Sequence, residues 1–478
     1  MEARAWWLSV PAPPFGSPDV RLLQLVAVAL LFVNVGRLHE IVVRYTGELP
    51  IAKVLLAVGA MAVVSVAPWD RLRTAWRARP AKALALFTSA LLLSLPFSYY
   101  RAGTLTLIIQ FCLAVLPIVG ITVAAIRNLT DLERLFRATA LMVATTAGLL
   151  LAGIGVTGET RLSLVGSYDP NDLALVLATC LPFCVWCLRD RSVLWQGVGL
   201  VGLLGGLYAI VKTGSRGGFV AVAMQFLVLL VVARQAIPGW LRLSVVPALV
   251  LVVAFAPGAY RARLQSLTSL SSDYNATELS GRQAIWTRGA TYFLKRPLTG
   301  IGAGQFSVAE GRWGEEQGYV RGWQWSAPHS MYVEAAAELG LLGIGSLLAI
   351  LASILQYTRR SAGIGLLQGP PDPQRATVGV ALFAATLTFA VGAAFLTAAF
   401  KPVFMMLISY AIAFEAIPAA HARTPMVRTG GGRPRPLPQR GGLGSSMRPG
   451  TRGGVRGPLP GAAATRARWS GRQLPGRS

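Results

Sequence analysis

Long apolar runs alternate with short polar segments along most of this chain. Runs of roughly twenty apolar residues are long enough to cross the ~30 Å hydrocarbon core of a bilayer. Because a backbone in lipid has to satisfy its hydrogen bonds within its own segment, each run is predicted to be a helix. The pattern predicts about twelve helices, near 20–36, 50–68, 81–98, 103–126, 135–156, 172–188, 193–212, 217–233, 241–258, 329–357, 376–398 and 401–418.

The composition favours an all-α, polytopic integral membrane protein over a soluble bundle of helices. The chain has 478 residues, of which 54% are hydrophobic and 14% are charged, whereas soluble domains carry about 25% charged residues. The first apolar run follows a proline-rich leader and has no evident small-residue cleavage site. It is therefore predicted to remain as the first helix instead of acting as a cleaved signal peptide.

The basic residues of the short loops predict which side of the membrane each loop faces. Lysine and arginine concentrate in cytoplasmic loops, and alternate loops of this chain are basic. Their basic residues are Arg71, Arg73, Arg77, Arg79 and Lys82, then Arg127, Arg134 and Arg137, then Arg189 and Arg191, then Arg234 and Arg242, then Arg359, Arg360 and Arg375. This pattern predicts a multi-pass protein of the bacterial inner membrane with both termini in the cytoplasm.

The same orientation places one large loop, residues 259–328, in the periplasm. The predicted organisation is a cytoplasmic leader at 1–19, helices one to nine over 20–258, this loop, helices ten to twelve over 329–418, and a tail at 419–478. The two halves of the chain show no mutual similarity, and the large loop lies off centre. Both features argue against a carrier that is built from two repeated halves.

The tail contributes much of the net charge of +25. Twelve arginines and no acidic residue lie between Arg423 and Arg477, in a stretch rich in glycine and proline. Such a segment cannot bury a core, so it is predicted to be disordered and to bind anionic membrane lipids of the cytoplasmic leaflet. No folded nucleic-acid-binding motif accompanies the charge, and nucleic acid is not predicted as a partner.

Neither a metal site nor a cofactor is predicted. Cysteines at 112, 180, 184 and 187 lie within apolar runs, and no histidine or carboxylate lies between the last three, so they are interpreted as small buried side chains. The glycines between 300 and 304 are not a dinucleotide fingerprint, because no strand precedes them. No Asp-x-Asp pair occurs, so chemistry on a metal-bound nucleotide sugar has no support.

Two outward-facing helix starts hold candidate functional residues. Asp169 or Asn171 can cap the sixth helix, whose first turn suits Pro170. At the start of the eighth helix, the run Thr213-Gly214-Ser215-Arg216-Gly217-Gly218 places an arginine opposite the basic loops, with Lys212 beside it. Backbone amides at a helix start favour an anion, and the guanidinium fork binds phosphate through two hydrogen bonds. The alternative is an arginine that extends to lipid headgroups.

The large loop and the helix that follows it form the third candidate segment. The loop contains Gly281-Arg282-Gln283-Ala284-Ile285-Trp286 and Pro297-Leu298-Thr299-Gly300-Ile301-Gly302-Ala303-Gly304-Gln305-Phe306, and it leads into Pro328-His329-Ser330-Met331-Tyr332-Val333-Glu334. His329 is one of three histidines in the chain and opens a helix at the outer membrane face. Taken alone, a histidine in such a place is more often structural than catalytic.

Together these segments resemble the O-antigen ligase and O-antigen polymerase superfamily of integral-membrane glycosyltransferases. The matching motifs are Ser215-Arg216-Gly217-Gly218, Gly281-Arg282 with Trp286, the string from Pro297 to Phe306, and His329-Ser330-x-Tyr332-x-Glu334 with Glu338-Leu339-Gly340. The family's usual His-Asn is His329-Ser330 here. The resemblance covers residues 160–345 by motif, and the membrane portion by the number of helices and the position of the large loop.

The resemblance implies that a glycan is moved from a polyprenyl diphosphate, such as undecaprenyl diphosphate, to an acceptor hydroxyl at the periplasmic face. Arg216 and Arg282 would stabilise the charge on the diphosphate, and His329 would act as the general base of an inverting reaction. The predicted substrate-binding residues are Lys212, Ser215, Gly217, Arg288, Tyr332, Glu334 and Asn171. No metal takes part in this mechanism.

Four functions remain open from the sequence. A ligase would join a finished glycan to lipid A-core, a polymerase would join repeat units, and a third branch of the family glycosylates proteins. The alternative from a different class is a transporter or flippase for lipid-linked glycans, which needs a conduit across the membrane and no base at one face. The ligase, acting in lipopolysaccharide or surface-polysaccharide synthesis, is the preferred hypothesis.

Overall fold

The structure, a computed structural model, describes residues 18–47, 50–66, 69–157, 161–164, 168–228, 230, 278–319, 324–364 and 372–418. In this part of the chain the fold is helical, with one antiparallel pair of short strands, β1 (Val156–Thr157) and β2 (Ser163–Leu164). The all-α class predicted from the apolar pattern is confirmed. The predicted helix at 241–258, the tail and most of the leader lie outside the described residues.

The helices of the described residues alternate with short connections. In chain order they are α1 Pro18–Asn34, α2 Leu38–Thr46, α3 Ile51–Val66, α4 Trp69–Trp76, α5 Arg79–Leu93, α6 Arg101–Gln110, α7 Leu116–Ala125, α8 Leu129–Leu151, α9 Pro170–Cys187, α10 Val193–Thr213, α11 Arg216–Leu227, α12 Arg282–Lys295, α13 Phe306–Glu316, α14 Met331–Ser361, α15 Pro373–Gly392 and α16 Pro402–Ala416. A π-helical segment, Phe111–Val115, joins α6 to α7. Short 3-10 turns cover Leu95–Phe97 and Ala393–Phe395.

Several of these helices have the length and apolar character of membrane spans. Seven segments qualify within the described residues: Arg79–Phe97, Arg101–Ala125, Leu129–Leu151, Pro170–Cys187, Val193–Thr213, Met331–Ser361 and Pro373–Phe395. Helices α3 and α4 add an eighth if they are taken together, although the pair is bent by 106°. The chain is therefore a multi-pass membrane protein, and the total of twelve spans stays a prediction.

Every predicted helix within the described residues has a counterpart whose bounds differ by a few residues. The largest shift of a helix start is at the fifth predicted helix, which was expected from residue 135 and begins at Leu129. The polar segment before the apolar run is helical because Asn128 caps it and accepts a hydrogen bond from the N–H of Asp131 at 2.9 Å. The apolar pattern alone could not locate this start.

The large loop contains helices that the sequence analysis did not predict. Helices α12 and α13 lie within residues 259–328, and α12 packs against α14. A small core, separate from that of the membrane helices, joins these three helices. Its buried members are Ile285, Tyr292, Ile301, Phe306, Ala309 and Ala337.

Helix α9 lies at the centre of the membrane helices and packs against α8, α10, α11 and α15. Glycines let α10 approach it closely: a Cβ placed on Gly199 would lie 2.7 Å from the carbonyl oxygen of Cys184. Cys180, Cys184 and Cys187 are fully buried in this packing. Their interpretation as small buried side chains is confirmed.

Arginines at one end of the bundle, which we call the basic end, form ion pairs and hydrogen bonds with neighbouring groups. Arg137 pairs with Asp190 at 2.6 Å, close to where α9 ends and α10 begins. Arg375 donates to the carbonyl oxygens of Phe414 and Ile417, at 3.1 and 3.0 Å, where α16 ends. The opposite end, which we call the site end, contains the starts of α9, α11, α14 and α16 and the end of α10.

Candidate functional site

The turn between α10 and α11 places Arg216 at a helix start. Gly214 ends α10 in the left-handed conformation, with φ of 61°, which a glycine adopts without strain. The buried hydroxyl of Ser215 caps α11 by accepting a hydrogen bond from the N–H of Gly218 at 3.1 Å. Arg216 is therefore the first residue of α11. Ser215, predicted to bind substrate, uses its hydroxyl inside the protein, and we propose a capping role for it instead.

Phe395 brings the helix starts of the two predicted catalytic arginines together. A Cβ placed on Gly217 would lie 3.2 Å from the Cβ of Phe395. On its other side, the ring of Phe395 packs against Trp286, with the ring centroids 6.4 Å apart. Trp286 lies four residues after Arg282, the first residue of α12, so the two share one helix face. The start of α11 and the first turns of α12 thus both pack against Phe395.

His329 lies in the short connection that leads into α14. It is half-buried, and its backbone has a φ of +46°, which is rare for a residue other than glycine. Its N–H donates to the hydroxyl of Thr397 at 3.1 Å, and the indole N–H of Trp286 donates to the carbonyl oxygen of Pro328 at 2.9 Å. Ser330 then caps α14. His329 therefore stands beside the residues that join the arginine-bearing helices.

The surroundings of His329 keep its imidazole neutral. Burial and the positive charge of Arg282 lower the pKa of His329 below its usual value of 6.5, while the negative charge of Asp169 acts in the opposite direction. A neutral imidazole at neutral pH can accept a proton.

A further arginine joins the start of α9 to the end of α10. The guanidinium of Arg161 donates to the backbone oxygen of Thr213 at 2.8 Å and to the side-chain oxygen of Asn171 at 2.9 Å. Asp169, not Asn171, caps α9, because it accepts from the N–H groups of both Asn171 and Asp172. Asn171 is thus held at the site end, with its oxygen bound to Arg161. Lys212 is exposed in the same turn region, with its ammonium 5.6 Å from the ring centre of Tyr208.

Glu338, on α14, is hydrogen-bonded to the glycine-rich string from Pro297 to Phe306 in the large loop. Its carboxylate accepts hydrogen bonds from the N–H groups of Gly304 and Phe306, at 2.6 and 3.0 Å. The helix is broken beside it at Gly340, with φ of 67° and ψ of −159°. A Cβ placed on Gly300 would lie 2.2 Å from the carbonyl oxygen of Glu338. Gly300, Gly302 and Gly304 also have positive φ angles of 66°, 104° and 71°, which glycine adopts without strain. This conformation, together with the close approach at Gly300, explains why glycines recur in the string.

Three further residues that were predicted to bind substrate have partners inside the protein. Glu334 is buried, and its carboxylate accepts from the N–H of Ala399 at 3.0 Å. The hydroxyl of Tyr332 donates to the carbonyl oxygen of Ala390 at 2.8 Å. Arg288 is buried in a bidentate ion pair with Glu310, with a shortest distance of 2.6 Å. We propose structural roles for these three in place of substrate contacts, because their polar atoms are already engaged.

Four residues at the site end were missed by the sequence analysis. Arg161 offered the same signal as Arg216, an arginine on the side opposite the basic loops. Lys401 offered it too; its ammonium pairs with Asp172 at 2.9 Å. Phe395 and Thr397 gave no signal, because their positions beside Trp286 and His329 depend on the tertiary fold.

The fold and this site define a multi-pass membrane protein in which two helix starts that carry arginines lie near the segment that carries His329. Residues 201–348 match the family model described as O-antigen ligase. The resemblance to the O-antigen ligase superfamily is thereby confirmed, and the matched region includes Arg216, Arg282 and His329. A search of the curated proteins gave no match. Among the described residues, no group of three or more histidine, cysteine, aspartate or glutamate side chains could hold a metal ion.

Proposed function

We propose that the protein transfers a glycan from a polyprenyl diphosphate to an acceptor hydroxyl, acting as an O-antigen ligase. The observation that supports this most directly is the meeting of the Arg216 and Arg282 helix starts around Phe395, beside His329. Two cations at two helix starts suit a ligand with two adjacent phosphates, since both the side chains and the backbone amides attract negative charge. The match to the O-antigen ligase family supports the same class of reaction.

In this proposal the arginines stabilise the leaving group. Displacement of a diphosphate from an anomeric carbon increases the negative charge on its oxygens, and fixed cations stabilise that charge in the transition state. Arg216 and Arg282 act on the phosphates directly. Arg161 contributes by holding Asn171 and the end of α10 against the start of α9.

His329 acts as the general base. The neutral imidazole accepts the proton of the acceptor hydroxyl while the acceptor oxygen forms a bond to the anomeric carbon. The bond from that carbon to the diphosphate breaks, and polyprenyl diphosphate leaves with the electron pair. Attack opposite to the leaving group inverts the anomeric configuration. These steps use only protons and groups that the two substrates and His329 provide, so no metal is required.

We place the site end at the periplasmic face of the bacterial inner membrane and the basic end in the cytoplasm. The positive-inside rule supports this orientation, because Arg137, Arg359 and Arg375 all lie at the basic end or in loops of the same set. The donor is then an undecaprenyl-diphosphate glycan presented outside, and the acceptor is lipid A-core. The basic tail contacts anionic lipids of the cytoplasmic leaflet.

The glycan profile of a deletion strain tests the function and its alternatives. A ligase predicts the loss of all long chains from lipid A-core while the lipid-linked polymer remains intact and outside. Products with a single repeat unit would indicate a polymerase, and loss of glycan from proteins alone would indicate a protein glycosyltransferase. Lipid-linked glycan trapped on the cytoplasmic side would contradict the proposal and indicate a transporter.

A further inference from the structure

The peptide group between Pro328 and His329 is hydrogen-bonded through both its carbonyl oxygen and its N–H. Its carbonyl oxygen accepts a hydrogen bond from the indole N–H of Trp286 at 2.9 Å. Its N–H donates to the hydroxyl oxygen of Thr397 at 3.1 Å. The C=O and N–H of a planar trans peptide point in opposite directions. Trp286 and Thr397 therefore fix the orientation of a single rigid plane.

This plane determines the backbone conformation of His329. The φ angle of His329, +46°, lies in the left-handed region, where a side chain with a Cβ is strained and the surroundings have to hold it. On the other side of His329, the hydroxyl of Ser330 caps α14 by accepting from the N–H of Val333. With the clamped peptide before it and a capped helix after it, His329 has little freedom in the direction of its side chain.

The two clamping residues belong to different parts of the site. Trp286 lies on α12, one helical turn after Arg282. Thr397 lies two residues after Phe395, whose ring packs on Trp286 and whose Cβ lies against Gly217. The clamp therefore connects the position of the base to the two helix starts that hold the arginines.

We propose that Trp286 and Thr397 are positioning residues, which hold the Pro328–His329 peptide so that the imidazole faces the acceptor hydroxyl. Neither residue contacts the substrate in this proposal; both act through the backbone of His329. The inference rests on the proposed function, because it explains why His329, the proposed general base, is held in this conformation. Thr397 lies outside the region that matches the family model, residues 201–348, so the site extends beyond that region.

The first test compares Thr397→Val with Thr397→Ser in purified protein that transfers glycan from a polyprenyl diphosphate. Valine has the shape of threonine but lacks the acceptor oxygen, whereas serine retains it. A displacement of about 1 Å of a reacting group can cost ~10²-fold in rate. We expect kcat of Thr397→Val to fall by about 10- to 100-fold at unchanged KM for the donor, and Thr397→Ser to stay near wild type.

Trp286→Phe tests the hydrogen bond to the carbonyl oxygen of the same peptide. This variant also provides the test if Thr397→Val does not accumulate. Phenylalanine keeps an aromatic ring against Phe395 and removes only the indole N–H. The expected result is again a lower kcat at unchanged KM for the donor. Trp195→Phe is the matched control, because Trp195 lies at the basic end near Arg137, and it should transfer like wild type.

A double-mutant cycle separates positioning of His329 from other roles of Thr397. If Thr397 acts through His329, adding Thr397→Val to His329→Ala should not lower the residual rate further. A full additional loss in the double variant, a raised KM for the donor, or wild-type kinetics of both Thr397→Val and Trp286→Phe would overturn the inference. Failure of the wild-type protein to transfer glycan would instead refute the proposed function, so the two failures are distinguishable.

Discussion

Arginines at the two ends of the bundle have opposite relations to the helices beside them. At the basic end, Arg375 donates to the last carbonyl oxygens of α16, where the negative end of the helix dipole favours a cation. At the site end, Arg216 and Arg282 are the first residues of α11 and α12. A cation at a helix start is unfavourable by ~0.3–1 kcal/mol. Arg375, although it lies in the first turn of α15, thus stabilises the end of α16, whereas Arg216 and Arg282 add positive charge to their own helix starts.

The position of an arginine relative to the helix ends distinguishes a structural arginine from a functional one in this chain. A cation at the positive end of a helix dipole attracts anions together with the backbone amides of the helix start. In the proposed reaction that anion is the donor diphosphate. Removal of arginines from the two ends should therefore affect different properties, activity at one end and stability at the other.

The largest expected effect is that of His329→Ala. Loss of a general base costs a factor of ~10²–10⁴ in rate, so transfer should fall by that amount. Binding of the polyprenyl-diphosphate donor should persist, because the arginines that bind it are intact. Transfer and donor binding would be measured with purified variants in nanodiscs. Near-normal turnover would remove the base from the mechanism and leave the arginines as its only catalytic groups.

Substitution of the site-end arginines should affect binding as well as turnover. Arg216→Ala and Arg282→Ala should each lower kcat/KM by ~10²–10³-fold, the range for loss of a donor that stabilises transition-state charge. Donor affinity should also fall, since the diphosphate is charged before the transition state. Lysine should rescue only in part, because an ammonium lacks the bidentate fork. Thermal unfolding of each alanine variant is the control for folding, and a donor affinity equal to wild type in a folded variant would contradict the assigned role.

The basic end should give the converse result. Arg375→Met leaves the carbonyl oxygens of Phe414 and Ile417 without their donor and should reduce the free energy of unfolding by about 1–3 kcal/mol. Donor affinity should match wild type. Arg359→Met is the control, because Arg359 is exposed in the last turn of α14 and its removal should have little effect. A marked loss of donor affinity in Arg375→Met would contradict the assignment of a purely structural role to Arg375.

A smaller effect concerns pH. Because burial and Arg282 lower the pKa of His329, activity should persist as the pH falls through 6.5 and decline only below the pKa of the folded protein. Asp169 raises this pKa, so Asp169→Asn should move the acidic limb of kcat/KM to lower pH. Asparagine can still cap α9. A shift of the limb to higher pH would contradict the assigned electrostatics.

The smallest effect is expected from removal of the tail. Truncation after Arg423 should leave kcat and KM unchanged, because the basic loops predict a cytoplasmic tail and a site on the other face of the membrane. A lower amount of protein in the membrane is compatible with its binding to lipids. Loss of transfer at normal protein levels would show that the tail takes part in the reaction.

The sequence predicted the long apolar helices of the described residues and supplied candidate site residues, because apolar length and charged residues are local signals. Arg216 stood out as an arginine on the less basic side, and His329 stood out through its motif. The roles of Glu334 and Arg288 could not be predicted, because their partners Ala399 and Glu310 are distant in the chain. A buried carboxylate that accepts a backbone N–H looks the same in sequence as one that binds substrate.

The break of α14 at Gly340 limits how this protein could be recombined with its relatives. Beside the break, the carbonyl oxygen of Pro297 accepts from Leu341 at 2.7 Å, and the carbonyl oxygen of Glu338 accepts from Gly302 at 3.1 Å. Backbone groups left exposed within a membrane-spanning helix are costly. A chimera that exchanged the large loop without α14 would have to rebuild these bonds between foreign partners. We therefore expect α12, α13 and α14 to be inherited and exchanged as one unit.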